Sequence, residues 1–200
     1  MTLSESMRRI FHMNLPNFLT IVRMALVPVF IVFFYLGQGG AHIYTILAFA
    51  VFLAASATDA VDGHLARKHG LITNFGKLMD PLADKVLTTA AFIIFVDVGI
   101  VAAWMVIVIL TREFIITGLR GVAASEGEVI PAGMSGKLKT VFQMLAICLI
   151  LFSLVLDGNI FGFWLFISYT AMICLWIAVG LTIYSGVEYL WKGRKLLRLK

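Results

Sequence analysis

Six long apolar segments dominate this sequence of 200 residues. Each is close to the roughly 20 residues that an α-helix needs to cross a hydrocarbon core about 30 Å thick. Strict alternation of apolar and polar residues is absent, and a helix satisfies its own backbone hydrogen bonds inside a bilayer. The sequence therefore predicts an all-α integral membrane protein, a six-transmembrane-helix bundle that forms a single domain over residues 1–200. The expected spans are 17–36, 43–67, 79–98, 101–121, 136–156 and 160–190.

The composition supports the membrane class and limits the partners. Hydrophobic residues make up 61% of the chain and charged residues only 14%, whereas a soluble domain of this size needs a larger polar surface. On such a background the net charge of +5 indicates cytoplasmic loops and contact with anionic lipid head groups. Basic residues are not interleaved with aromatic ones as in a nucleic-acid module. Membrane lipids are therefore expected partners, and nucleic acid is not.

The distribution of basic residues predicts the orientation in the membrane. Lysines and arginines concentrate at the N-terminus, around the second and fourth connections and at the C-terminus, and the other three connections have none. The positive-inside rule then places both termini in the cytoplasm, as an even number of spans requires, in an inner or plasma cell membrane. Residues 1–13, with Arg8 and Arg9 among apolar side chains, fit an amphipathic helix on the membrane surface or, alternatively, a frayed terminus.

Four aspartates lie around the second connection, near the cytoplasmic boundary: Asp59, Asp62, Asp80 and Asp84. An aspartate costs roughly 2.5 to 3.5 kcal/mol at the bilayer centre and less near the interface, and neighbouring carboxylates repel one another. A divalent cation relieves both effects, and Mg²⁺ and Mn²⁺ prefer oxygen ligands. The sequence therefore predicts an Mg²⁺ or Mn²⁺ site that is reachable from the cytoplasm.

The spacing places the aspartates on two helical stripes. The first stripe consists of Asp59, Asp62, Gly63, Ala66 and Arg67, in which the two small residues leave space for a ligand or a close helix. The second consists of Gly76, Asp80 and Asp84. Pro81 favours a third helix that begins or kinks at Asp80. Two antiparallel helices joined by a short loop are expected to bring the stripes together.

Paired cations in such a cage suit phosphoryl transfer, because they polarise a phosphate and stabilise the attacking and leaving oxygens. A further aspartate can accept the proton of an attacking hydroxyl, and Arg67 can clamp a diphosphate. One alternative is a buried ionic network that only locks helices, with Arg67 and Lys85 as counter-ions. Another is a divalent-cation transporter, but acids along a path through the spans are then expected rather than a cluster at one face.

The whole pattern, Asp59-x2-Asp62-Gly63-x2-Ala66-Arg67-x8-Gly76-x3-Asp80-x3-Asp84, resembles the signature of the CDP-alcohol phosphatidyltransferases, with every position filled. The resemblance implies a six-helix membrane enzyme, usually a homodimer, that uses two divalent ions to displace CMP from a CDP-linked lipid or alcohol. It implies that all four aspartates bind metal and that Asp84 is also the catalytic base. The residues it assigns to the CDP group are Gly63, Arg67, Thr73 and Gly76.

The start of the first segment, Asn14-Leu-Pro16-Asn17-Phe-Leu-Thr20, resembles the phosphatidylglycerophosphate synthase branch of this family. This resemblance implies that Asn17 and Thr20 help to bind the cytidine nucleotide. From the residues alone, Asn17 is a suitable helix N-cap just after Pro16. The two interpretations are compatible.

Basic residues beyond the third segment bear on the acceptor. The fifth helix opens with Ser135-Gly136-Lys137-Leu-Lys139, and a helix N-terminus with two lysines can bind an anion. The candidate ligands of an acceptor phosphate are Arg112, Arg120, Lys137 and Lys139. The alternatives are lipid head-group contact for the lysines and an ion pair for Arg112. A pair with Glu113 is the weaker alternative, because adjacent helix residues do not face each other.

These later motifs also resemble the phosphatidylglycerophosphate synthase branch. The resemblance implies CDP-diacylglycerol and sn-glycerol 3-phosphate as the two substrates. Inositol phosphate, serine and phosphatidylglycerol remain alternative acceptors for the same chemistry, although a basic pocket disfavours serine.

Overall fold

The computed structural model describes the backbone of residues 15–69, 74–125, 133–156 and 161–193. It describes the side chains of these residues except 15–19, 59–84, 124–125 and 192–193. In these ranges the regular structure is entirely helical. The six helices are α1 (Leu15–Gln38), α2 (His42–His69), α3 (Asn74–Asp97), α4 (Ala103–Ser125), α5 (Met134–Leu156) and α6 (Phe161–Gly193).

The all-helical prediction is confirmed, because one helix lies at each of the six expected segments. Among the described residues, three helices are long and apolar enough to cross a membrane: Thr20–Gln38, Met134–Leu156 and Phe161–Trp191. A shorter apolar stretch covers His42–Thr58. The chain thus has the helices of a membrane protein, and the number of spans and their orientation stay predictions.

The start of α3 corrects one expectation. We expected Pro81 to favour a helix that begins or kinks at Asp80. The start is corrected, because α3 begins at Asn74, whereas a kink at Asp80 stays a prediction. A proline inside a helix removes one backbone hydrogen bond, and membrane helices tolerate this where other groups satisfy the freed carbonyl. The consequence is that positions 76, 80 and 84 belong to one continuous helix.

Two of the expected connections are tight turns with a glycine in the left-handed region. Gly40 has a φ of 90° between α1 and α2, and Gly99 has a φ of 74° between α3 and α4. A side chain at either position would be strained, whereas glycine adopts this conformation readily. The glycine-containing breaks at these two places were therefore correctly interpreted as turns between successive helices.

The described residues form two compact units, divided within α3 between Ala90 and Ala91. In the first unit, α1 packs against α2. Phe30 is completely buried and lies between Phe34 and Phe52, with ring centroids 6.2 and 5.7 Å away. Tilted aromatic pairs at such distances add to the stabilisation from burial.

In the second unit, α6 is the common partner of α4 and α5. Leu175 and Ala178 of α6 and Ile147 and Leu151 of α5 are completely buried. On the outer surface of α4 and α6, Trp104 and Trp176 are exposed and pair at 5.5 Å. Large exposed apolar side chains of this kind suit contact with lipid.

Candidate active site

The four signature aspartates lie on two helices. Asp59 and Asp62 belong to α2, whereas Asp80 and Asp84 belong to α3. The helical backbone around each pair has the periodicity that the two predicted stripes require. The side chains of residues 59–84 lie outside the described residues. Metal binding by the four aspartates and the role of Asp84 as base therefore stay predictions.

Most residues expected to contact the CDP group also lie outside the description. The backbone of α1, α2 and α3 includes Asn17, Gly63, Arg67 and Gly76, without described side chains, and Thr73 is in an undescribed segment. Thr20 is described and is 3% exposed. One turn later, Arg23 has the same exposure of 3%. The two residues therefore lie on the same, buried side of α1. From the sequence, no role was assigned to Arg23.

A buried ionic triad joins α4 to α5. The Nζ of Lys139 donates to Oε1 of Glu113, and Nη1 of Arg112 donates to the same oxygen at 2.9 Å. The side chains are 2% exposed for Lys139, 18% for Glu113 and 14% for Arg112. A lysine this buried needs a counter-ion, because moving its charge out of water is costly. The carboxylate of Glu113 supplies that counter-ion from a different helix.

Two glycines make room for the guanidinium of Arg112. A Cβ on Gly136, in the first turn of α5, would lie 3.2 Å from Nη2 of Arg112. A Cβ on Gly186 of α6 would lie 3.3 Å from Cγ of the same arginine. Larger residues at either position would push the arginine aside. Sequence reasoning did not single out Gly186.

Two residues at the end of α6 hold polar groups from the other two helices. Ser135 Oγ, in the first turn of α5, donates to Oε2 of Glu188 at 2.5 Å. Nε of Arg120, on α4, donates to the hydroxyl of Tyr189 at 3.1 Å, and its guanidinium carbon lies 5.5 Å from the centroid of that ring. The carboxylate of Glu188 therefore lies at the N-terminus of α5, where the helix dipole favours a negative charge.

We refer to these seven residues as the charge cluster: Arg112, Glu113, Arg120, Ser135, Lys139, Glu188 and Tyr189. It contains three of the four cations that the sequence proposed for an acceptor phosphate. The fourth, Lys137, is exposed on α5. One turn beyond Lys139, Gln143 is 7% exposed, and its Nε2 has no hydrogen-bond partner among the described residues.

The ion pair between Arg112 and Glu113 was underestimated from the sequence. Adjacent positions on a helix point apart, so this pair was considered the weaker alternative, yet it is present. The reason is that Lys139 draws the carboxylate toward α5, and the long arginine side chain reaches it there. Glu113 and Glu188 were missed as site residues. Their signal was available, because both are acids inside long apolar helices.

Comparison with known proteins assigns the chain to a family. A family profile described as CDP-alcohol phosphatidyltransferase matches residues 13–184. The chain belongs to the CDP-alcohol phosphatidyltransferase family. The family resemblance seen in the aspartate signature is thereby confirmed.

Three relatives give more detail. The chain is 43% identical over 195 residues to the CDP-diacylglycerol–glycerol-3-phosphate 3-phosphatidyltransferase of Bacillus subtilis (strain 168), covering 92% of this chain and 97% of that one. It is 38% identical over 176 residues to the protein of the same name from Rickettsia bellii (strain RML369-C), covering 88% and 93%. It is 40% identical over 176 residues to a probable phosphatidylglycerophosphate synthase of Mycobacterium tuberculosis (strain ATCC 25618 / H37Rv), covering 88% and 79%.

Proposed function

We propose that this protein transfers the phosphatidyl group of CDP-diacylglycerol to sn-glycerol 3-phosphate, forming phosphatidylglycerophosphate and CMP in phospholipid biosynthesis. The shared name of relatives that align along most of the chain supports this activity. The single observation in the structure that supports a phosphorylated acceptor is the charge cluster. In it, Arg112 and Lys139 share one oxygen of Glu113, and Arg120 contacts Tyr189, the neighbour of Glu188 in α6.

The residues present fit the two divalent cations that the family resemblance implies. The proposed ligands Asp59, Asp62, Asp80 and Asp84 offer only carboxylate oxygens, the donors that Mg²⁺ and Mn²⁺ prefer. Asp59 and Asp62 are separated by three positions on α2, and Asp80 and Asp84 by four on α3, so each pair lies on one side of its helix. When bound, the cations supply charge neutralisation for the diphosphate and the departing CMP.

The protein's own groups account for binding and proton transfer in the proposed reaction. Arg67, Gly63, Thr73, Gly76, Asn17 and Thr20 are the proposed contacts of the CDP group. Arg112, Arg120, Lys137 and Lys139 are the proposed cations for the acceptor phosphate, with Arg112 best suited to pair with two oxygens. Asp84 accepts the proton of the 1-hydroxyl, whose oxygen attacks the β-phosphorus as the bond from that phosphorus to CMP breaks.

The setting we propose is a cell membrane crossed six times, with both termini and the active site facing the cytoplasm. Three described helices have the length and hydropathy of spans, and the basic residues follow the positive-inside rule. CDP-diacylglycerol reaches such a site from the lipid, and the water-soluble acceptor reaches it from the cytoplasm. A homodimer is proposed from the family resemblance.

The proposed function is tested by CMP release from purified protein in detergent or proteoliposomes. Release is expected only with CDP-diacylglycerol, glycerol 3-phosphate and Mg²⁺ or Mn²⁺ together, and chelation should abolish it. Asp84→Asn is expected to remove nearly all turnover, because an amide cannot accept the proton. Turnover that persists in both the chelated enzyme and Asp84→Asn contradicts the proposed chemistry.

A panel of acceptors in the same assay tests the choice of acceptor. Inositol phosphate, serine and phosphatidylglycerol are compared with glycerol 3-phosphate at equal concentrations. Preference for serine would contradict the role given to the charge cluster, since serine has no phosphate. Flux of Mg²⁺ or Mn²⁺ into liposomes without CMP release would instead support the transporter alternative.

A further inference from the structure

The charge cluster brings positive charges close together, and these charges repel one another. Arg112 lies against the first turn of α5, where the unpaired N–H groups of a helix carry partial positive charge. Lys139 follows within the next turn of the same helix and is almost fully buried. Two cations and a helix N-terminus therefore share one small region. In the absence of a bound anion, this arrangement requires a resident negative charge.

Glu113 supplies that charge at the centre of the arrangement. Its Oε1 accepts from both Lys139 and Arg112, so one carboxylate oxygen fixes a cation from each of two helices. In the described part of the chain, α4 and α5 each pack against α6. The link between α4 and α5 is made by these long side chains, together with the approach of Arg112 to Gly136.

The orientation of Arg112 follows from this contact. Glu113 engages Nη1, whereas Nη2 faces the first turn of α5. The Nε of Arg112 is buried and has no hydrogen-bond partner among the described residues. A guanidinium is a rigid fork of donors, so fixing one nitrogen fixes the direction of the others. Glu113 thus directs the rest of the Arg112 guanidinium toward the N-terminus of α5, where it can offset the carboxylate of Glu188 and add a donor for a phosphate.

We propose that Glu113 is a positioning residue for the acceptor: its carboxylate holds Lys139 and Arg112 in the geometry that binds the acceptor phosphate. The inference rests on the proposed function, because it assumes a phosphorylated acceptor at the charge cluster. Glu113 acts through the two cations and does not touch the reacting atoms. Its removal should therefore weaken acceptor binding and leave the handling of CDP-diacylglycerol and the chemical step largely intact.

The decisive experiment separates positioning from simple stabilisation of the fold. Glu113→Gln removes the carboxylate that pairs with a buried lysine and is expected to lower thermal stability as well as acceptor affinity. The double variant Glu113→Gln/Lys139→Met removes both charges, so its stability should recover toward wild type. The single variant Lys139→Met is the reference, because it alone removes a proposed ligand of the acceptor phosphate. If Glu113 has a positioning role, the KM for glycerol 3-phosphate is higher in the double variant than in Lys139→Met, since Arg112 has also lost its partner. Losing a hydrogen bond to a charged group corresponds to a rise of about tenfold to a hundredfold.

Two further variants, Asp97→Asn and Glu113→Asp, serve as controls. Asp97→Asn makes the same acid-to-amide change at an exposed residue at the end of α3, outside the charge cluster, and should leave both KM values at the wild-type value. Glu113→Asp keeps the charge and should partly restore the acceptor KM relative to Glu113→Gln. A double variant with recovered stability and an acceptor KM equal to that of Lys139→Met overturns the positioning role, as does an equal change in the KM for CDP-diacylglycerol. Failure of wild-type protein to use glycerol 3-phosphate would instead count against the proposed function.

Discussion

Gly136→Ala is a small change that tests whether Arg112 stands at the acceptor phosphate. The added Cβ would lie 3.2 Å from Nη2 of Arg112, tighter than ordinary contact. The neighbouring atom is the end of a flexible side chain, so the guanidinium can retreat by a few tenths of an ångström. The backbone of α5 need not move. The substitution therefore displaces one functional group while leaving the helix that carries Gly136 in place.

Gly136→Ala is expected to hold or raise thermal stability but to weaken binding of the acceptor. Alanine is favoured over glycine inside a helix by up to about 0.5–1 kcal/mol, so thermal stability should hold or rise. A hydrogen bond to a charged group contributes roughly 1.5–3 kcal/mol, and a displaced guanidinium loses only part of it. A loss of about 1 kcal/mol corresponds to a roughly fivefold higher KM for glycerol 3-phosphate. The kcat should change little, because Arg112 does not reach the reacting phosphorus in the proposed mechanism.

The assay is CMP release at varied glycerol 3-phosphate, together with thermal unfolding of the same preparation. Gly180→Ala is the matched control, because Gly180 is also helical and no described atom lies within 4 Å of its added Cβ. The control should gain or retain stability with unchanged kinetics. If Gly136→Ala is stable and its acceptor KM stays within about twofold of the control, Arg112 does not bind the acceptor phosphate.

Three further substitutions test other parts of the structure. Gly37→Ala should destabilise the packing of α1 on α2 by roughly 1–3 kcal/mol, since the added Cβ would lie 2.5 Å from Oγ1 and 2.9 Å from the backbone nitrogen of Thr45; a thermal unfolding midpoint equal to wild type contradicts this. Tyr189→Phe keeps the ring beside Arg120 but removes the hydroxyl, so the acceptor KM should rise by less than about tenfold, and no change at all would exclude this contact from acceptor binding. Ser135→Ala should cost about 1 kcal/mol of stability by removing the hydrogen bond to Glu188, which unfolding in denaturant or heat can measure.

The fold was predictable because its determinants are local. Segment length and hydropathy identify a membrane helix without knowledge of its neighbours, and glycines at turns such as Gly40 and Gly99 mark where helices end. The start of α3 was less accessible, because Pro81 satisfies two rules that favour a helix boundary. The helix nevertheless begins at Asn74. Tertiary surroundings decide whether a proline ends a membrane helix or lies inside it.

The candidate site was predictable in its cations but not in their partners. Arg112, Lys139 and Arg120 stand out in a sequence because a charge in an apolar helix is costly. Which group each of them contacts depends on how α4, α5 and α6 are packed. The partners lie 26 and 69 positions away for Lys139–Glu113 and Arg120–Tyr189. Helical periodicity contains no information on contacts at such separations.

The groups proposed for the reaction therefore lie in two regions of the sequence. The aspartate signature lies on α2 and α3 and carries the groups proposed for the metals, the CDP group and the proton. The cations proposed for the acceptor lie on α4 and α5, and their orientation depends on Glu113 and on residues 186–189 of α6. If the proposed acceptor site is correct, we expect a substitution in α6 to change the preferred acceptor while the signature stays intact. Family membership, which the signature establishes, is thus a weaker guide to the acceptor than the identity of residues facing Arg112 and Lys139.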